Sequence, residues 1–279
     1  MSLLKPRKIE DLIVERLAKG PLLAIKLVEE IQHLRRHTTK QAVYSALRQQ
    51  KSREEVVMYK GTAALNATWL NRLTRFIVNA KRNYAGGEVA GDDVTNLSPG
   101  DRITYHFANP LKADVFWTHA FYLLAEHAPA SEPVYLYNPH EWFLLARHEN
   151  ETEVIRTITS RGKQFLLLAG HNTPLDRHVR QYFDGECSQY HPLSQPRFKN
   201  NNYYLNVFGN VLIEVWLDKK MSNAIDNFYQ RIALWNSEAN ARLTVILKQN
   251  HRVRITISHN QTRAEAYKKF CHKFFHLQK

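Results

Sequence analysis

The sequence predicts an α/β protein: a small helical part closed by a β-hairpin, followed by a larger domain with a mixed sheet. Three observations carry this. Apolar residues recur at helical spacing three times before residue 48, and two short strands with a Lys60-Gly61 turn come next. From residue 103 onward, β-branched and aromatic runs alternate with helical stripes. Gln164-Phe165-Leu166-Leu167-Leu168-Ala169-Gly170 is a continuous apolar run ending in glycine, as expected of a strand in a parallel region covered on both faces.

Taken in order, Ile9, Leu12, Ile13 and Leu17 form a stripe within Lys8–Lys19, and Gly20-Pro21 ends it. Leu23, Leu27, Val28, Ile31 and Leu34 form a second stripe. A third helix follows, with Thr38 or Thr39 as its cap. Ala42, Val43, Ala46 and Leu47 make its apolar face. Lys40, Gln41, Tyr44, Ser45 and Arg48 fall on the other face. These side chains suit phosphates and base edges in a major groove. The plainer alternative is an amphipathic surface helix. Val56-Val57-Met58-Tyr59 reads as a strand, Lys60-Gly61 as a turn, and Ala63–Asn66 as the antiparallel return.

Three helices followed by a hairpin form the winged helix-turn-helix arrangement. Residues 8–70 resemble bacterial and archaeal winged-helix transcription regulators, on the Thr39–Arg48 helix, the Val56–Tyr59 strand, the Lys60-Gly61 tip and the Leu65-Asn66 return. The resemblance implies double-stranded DNA as partner. It assigns Thr38, Thr39, Lys40, Gln41, Tyr44, Ser45, Arg48 and Lys60 to the contact. Winged helices also serve as protein-binding modules, so a non-catalytic adaptor is a further alternative.

Charge points the same way. The chain carries 39 Lys+Arg against 26 Asp+Glu, a net +13. Residues 1–84 hold 17 basic against 7 acidic residues, so +10 of that charge sits beside the candidate recognition helix. Such segregation is the electrostatic footprint of a polyanion partner.

Thr68 is the expected cap of a fourth helix with Trp69, Leu70, Leu73, Phe76, Ile77 and Ala80 on one face and Arg72, Arg75, Lys81 and Arg82 on the other. In regulators of this type such a helix often forms a homodimer contact; folding back on its own domain is the alternative. The expected domains are 1–83, a linker at 84–100 loosened by Gly86, Gly87 and Gly91, and 101–279. In the last, expected strands cover 103–107, 134–137, 164–170, 203–208, 211–216, 243–247 and 253–257. Expected helices cover 114–126, 151–161 capped by Asn150, 174–183 capped by Thr173, 221–232 and 262–275.

Two strand ends in this domain are rich in polar side chains: Asn138-Pro139-His140-Glu141-Trp142 and Gly170-His171-Asn172-Thr173-Pro174-Leu175-Asp176-Arg177-His178. Ligands of open α/β sheets sit beyond such ends. His140, Glu141, His171, Asn172, Thr173 and Arg177 are therefore the candidate ligand residues, with a small anionic effector favoured by the helix start after Thr173. Capping and loop solvation alone would produce the same polar residues.

The order of winged helix, connector and α/β domain is similar to that of TrmB-like regulators, whose effector domain resembles phospholipase D. Phospholipase D enzymes use His-x-Lys-x4-Asp. Here the nearest spacing is His178-Val179-Arg180 with Asp184, which has Arg for Lys and one residue too few. Gly-x-Ser-x-Gly, Gly-x-x-x-x-Gly-Lys-Ser/Thr and His-Glu-x-x-His are also missing. The reading is thus a regulator without enzymatic activity or cofactor. A nucleic-acid-processing enzyme using His140, Glu141, His171, Asp176 and His178 is the alternative. The 14 histidines read as scattered surface residues and imply no metal. No apolar run approaches the about 20 residues of a membrane span. No signal peptide is evident, and Cys187 and Cys271 make no disulfide framework, so a reducing cytoplasm is expected.

Overall fold

Helix and strand assignments come from a computed structural model, which describes residues 8–85, 94–129 and 131–277, without the side chains of 81–85. The chain divides into two compact units, residues 1–83 and 84–279. Each has its own core.

In the first unit, α1 (Ile9–Leu17), β1 (Leu22–Leu23), α2 (Ala24–Leu34) and α3 (Lys40–Ser52) precede β2 (Val56–Tyr59), β3 (Thr62–Leu65) and α4 (Ala67–Ala85). Ile13, Leu17, Leu27, Val28, Ile31, Val43, Ala46 and Leu47 interlock as the core; of the other residues in the expected stripes, Ile9, Leu12 and Ala42 are half-buried, and Leu23 and Leu34 are exposed where their stripe reaches the ends of the helix. Gln50, 1% exposed, donates from Nε2 to the carbonyl of Glu10 at 3.0 Å and ties α3 to α1. The hairpin pairs Tyr59 with Thr62, leaving a two-residue loop. Lys60 (φ 46°) and Gly61 (φ 78°) both have positive φ, as a primed hairpin turn requires. β1 extends this sheet by pairing with β3, a strand too short to leave a sequence pattern. The cap of α4 is Asn66 rather than Thr68: its Oδ1 accepts the Thr68 N–H at 2.9 Å. None of the described α4 side chains joins the unit's core; Leu70, Phe76, Ile77 and Val78 stand exposed.

The second unit contains β4 (Arg102–Phe107), α5 (Pro110–His127), β5 (Val134–Asn138), α6 (Trp142–Ala146), α7 (His148–Thr159), β6 (Phe165–Ala169), α8 (Pro174–Val179) and β7 (Ser188–Pro192). It continues with β8 (Tyr203–Phe208), β9 (Val211–Leu217), α9 (Lys219–Arg231), α10 (Ser237–Lys248), β10 (Val253–His259) and α11 (Gln261–Cys271). Its mixed sheet has the order β4-β10-β9-β8-β5-β6-β7. β5, β6 and β7 run parallel, and all other pairings are antiparallel. Alternation along the strands sends Leu136, Leu167, Tyr204 and Ile213 into the core on one face, with residues of α5, α6, α7, α9 and α10. Tyr135, Leu166, Leu205 and Leu212 go to the other, under Ala264, Tyr267 and Cys271 of α11.

Several sequence expectations are corrected. Residues 243–247 are helical, not a strand. Asn236 accepts the Ala239 N–H at 2.9 Å, and Ala239, Leu243 and Leu247 form the buried stripe of α10 while Val245 is 62% exposed. α7 starts at His148, so Asn150 is inside it rather than its cap. α5 starts a turn early because Asn109 accepts from Leu111 N and Pro110 suits the first helical position. The 174–183 helix stops at Val179 and passes into a 3-10 turn, Arg180–Tyr182. α6 and β7 are additional elements. The glycines Gly86, Gly87 and Gly91 of the expected linker lie outside the described residues, as do Lys5, Arg7 and the side chains of Lys81 and Arg82. Residues 94–100, expected as linker, are anchored in the second unit: Val94 is buried, and the Gly100 N–H donates to His259 O at 3.0 Å.

Candidate functional sites

On α3 the two faces separate cleanly. Val43, Ala46, Leu47 and Gln50 are buried, and Lys40, Gln41 and Arg48 are exposed on the opposite side, with Tyr44 and Ser45 half-buried between them. Thr39 is the cap, with Oγ1 accepting the Ala42 N–H at 3.2 Å. Thr38 departs from expectation. It is 7% exposed and its carbonyl accepts from Gln32 Nε2 at 3.0 Å, so its side chain is turned away from any ligand of the outer face. The Lys40 ammonium lies 6.0 Å from the Tyr44 ring centre. At the hairpin tip Lys60 stands 5.4 Å from the ring centre of Tyr59, which is 72% exposed. The surface is thus a row of donors on one helix and a lysine–tyrosine pair at a hairpin turn.

In the second unit, the structure divides the six expected ligand residues among three environments. His140, 2% exposed, directs Nδ1 at Asp176 (3.0 and 3.2 Å) and Nε2 at Asp226 (3.5 Å). His171 stacks on one side at 4.6 Å between ring centres and Tyr229 on the other at 4.1 Å. β5 and β6 are parallel neighbours, so the residues that follow them share one sheet end. Burial opposes charge on His140, but its hydrogen bonds to the Asp176 and Asp226 carboxylates and their negative charge outweigh it and raise its pKa. His171 is pushed down by burial and by the neighbouring His140. The arrangement is one buried imidazole between two carboxylates, which favour its protonated form, with a second imidazole stacked on it whose protonation is disfavoured.

Thr173, Asn172 and Arg177 are engaged locally. Asp176 Oδ2 accepts both the N–H (2.9 Å) and the hydroxyl (2.8 Å) of Thr173. The helix start therefore already holds this chain's own carboxylate where the sequence suggested a bound anion. Arg177 donates to the carbonyl of Asn172 at 2.7 Å on the exposed surface. Glu141 departs altogether from the histidines. It caps α6 by accepting the Leu144 N–H at 3.1 Å, accepts from the Asn138 amide, and lines a cavity under α5 and α7. Gly170 is required where β6 ends, because a Cβ there would lie 2.5 Å from the Tyr137 hydroxyl and 3.1 Å from Pro139 Cα.

Sequence reading missed Asp226, Tyr229 and Asn201, whose amide donates to Asp226. A weak signal existed. Asp226 and Tyr229 are three apart on one helical stripe with Ile225, and a carboxylate beside a buried stripe asks for a partner. Nothing local connects either to His140. Among the described residues no group of three or more His, Cys, Asp or Glu side chains is arranged to hold a metal ion, and no helix is long and apolar enough to cross a membrane.

No protein-family model matches the chain, and no curated protein matches it. Among solved structures it is similar to TrmBL2, an archaeal chromatin protein with a novel mode of DNA binding. The similarity covers 95% of this chain and 91% of that one, at 10% identity and a TM-score of 0.35. At that level the likeness carries no functional argument.

Proposed function

We propose that this protein is a sequence-specific double-stranded-DNA-binding regulator that acts as a homodimer, with the second unit serving dimerisation and ligand sensing. The observation that carries the reading is α3. Its inner face is locked in the core while Lys40, Gln41 and Arg48 stand free of that core on the outer face. Gln41 and Arg48 are side chains able to make paired hydrogen bonds to adenine and guanine edges. Lys40, and Lys60 at the hairpin tip, are suited to phosphates, which position a protein without reading sequence. The +10 charge of residues 1–84 supports the same partner through counterion release.

One such helix reads only a few base pairs, and the described residues hold one copy. Two-fold dimers solve this by reading two half-sites about one helical turn apart. The exposed Leu70, Phe76 and Ile77 on α4, together with an edge or helix of the second unit, suit a self-complementary apolar contact. The protein belongs, on this reading, with DNA in the cytoplasm, and its function requires no catalysis.

The test is selection of full-length protein against a pool of random duplexes. The expected result is one motif present as an inverted repeat with half-sites about 10 base pairs apart. Leu73→Asp with Phe76→Asp should select single half-sites, more weakly. Recovery of no preferred sequence would contradict specific regulation. A repeat that survives the double substitution would move the dimer contact off α4.

A further inference from the structure

The second unit holds a cavity to which DNA binding gives no role. Its floor is one face of the sheet, where alternation turns Leu136 and Asn138 of β5, Leu167 of β6 and Asn206 of β8 the same way. Residues of α5, α6 and α7 wall it. Its volume of about 50 Å³ is several times the roughly 10–15 Å³ that one water needs. Half-buried Thr118, Glu151 and Phe183 lie at its rim.

Its walls are mainly apolar, and the polar groups that interrupt them are mostly acceptors. Glu141, 3% exposed, and Glu151 both line it. Asn138, also 3% exposed, gives its amide N–H to Glu141 and leaves its Oδ1 buried with no hydrogen-bond partner. The indole N–H of Trp117, a donor in the lining, is committed to Asn206 Oδ1 at 2.6 Å. Arg147 is paired with Asp114. An orphaned buried acceptor has lost its water without regaining a hydrogen bond, so such an atom asks for a donor. In an apolar space bounded by Glu141 and Glu151, besides Asp114 with its Arg147 partner, the fitting donor is cationic and carries a short apolar body.

We propose that this cavity binds a small organic ammonium ion of the alkylamine class. Its N–H groups donate to Asn138 Oδ1, Glu141 and Glu151, and its alkyl chain lies against Phe121 and Phe143. The unliganded site is consistent with this. Burial pushes the Glu141 carboxyl up to about 7, and burial with the nearby Glu141 pushes Glu151 up to about 8. Arg147, itself paired with Asp114, pulls Glu151 down, while Asp176 pushes Glu141 up and Tyr190 adds a buried hydroxyl. Both carboxyls are therefore ready to release a proton as a cation arrives. The sign of the ligand is opposite to that of the anionic effector suggested by the loop sequence, and the inference does not depend on DNA binding.

The experiment is calorimetric titration of the full chain with n-butylammonium, n-butanol and n-butyrate at pH 8.5, repeated at pH 6. n-Butylammonium should bind about tenfold more tightly than n-butanol, since its charge-assisted bonds are the stronger kind, and n-butyrate should not bind. At pH 6, where burial favours the protonated carboxyls, the ammonium preference should fall severalfold. Glu151→Gln, at the rim and outside the α6 cap, should reduce it to within about threefold of the alcohol while thermal unfolding stays cooperative. Equal or tighter binding of n-butanol, preference for n-butyrate, no binding by any of the three, or an ammonium preference unchanged in both Glu151→Gln and Glu141→Gln would each overturn the proposal.

Discussion

Replacing Lys40 and Arg48 together by glutamate is expected to weaken binding of duplex DNA by roughly 100-fold or more at physiological salt. Both side chains are exposed on α3, outside the buried stripe of Val43, Ala46, Leu47 and Gln50, so the fold should be unaffected. Two effects add. Each reversal removes a cation from the path of the phosphates and substitutes a repelling charge. Arg48→Glu also removes a side chain able to bond two acceptors of a guanine, worth about 1–3 kcal/mol of discrimination. Fluorescence anisotropy with a labelled duplex measures the loss, and circular dichroism checks that the helices remain. An unchanged affinity would shift any DNA contact off this helix.

The second large effect is expected in the other unit. Asp176→Ala should destabilise the protein by about 3–5 kcal/mol, because it removes the nearer of the two carboxylates that hold buried His140, leaving it Asp226 at 3.5 Å, and takes the acceptor from both Thr173 donors. Asp176 is 0% exposed and accepts from His140 and from both Thr173 donors. Asp176→Asn keeps the shape and one acceptor, so it should lose less. The sign with pH follows from His140, whose pKa is raised in the folded state. Such a histidine contributes stability that is fully present below its unfolded value of about 6.5 and is lost as pH rises through the folded value. The gap between wild type and Asp176→Ala should therefore be widest in mild acid and narrow in alkali. Urea denaturation at a series of pH values gives it directly. A loss below about 1 kcal/mol would mean that the imidazolium is not held by this pair.

Elements with strong local signals were legible in the sequence. On α3, the cap at Thr39, the stripe of Val43, Ala46 and Leu47 and the positive-φ turn at Lys60-Gly61 all agree with one another. Residues 243–247 were not legible, because Thr244, Val245 and Ile246 suit strands and the deciding evidence lies upstream at Asn236 and Ala239. β7 escaped because Ser188-Gln189-Tyr190-His191-Pro192 is polar, and it is held as a strand by pairing with β6 rather than by propensity. The candidate ligand residues show the same limit. His140 and His171 come together because β5 and β6 are parallel neighbours. Asp176 lies 36 residues from His140, and Asp226 reaches it from α9. Glu141, adjacent to His140 in sequence, is turned into a separate cavity by its role as the α6 cap. Side-chain direction at a loop depends on the next helix start, which composition does not report.

The central claim is that the basic first unit engages the phosphates of duplex DNA. The most direct measurement is the affinity of the full-length protein for one duplex between about 50 and 200 mM salt. The account predicts a straight fall of log affinity against log salt, with a slope steeper than about −3, as expected when several Lys and Arg side chains each displace counterions. An affinity indifferent to salt, or no binding at about 50 mM salt, would contradict it.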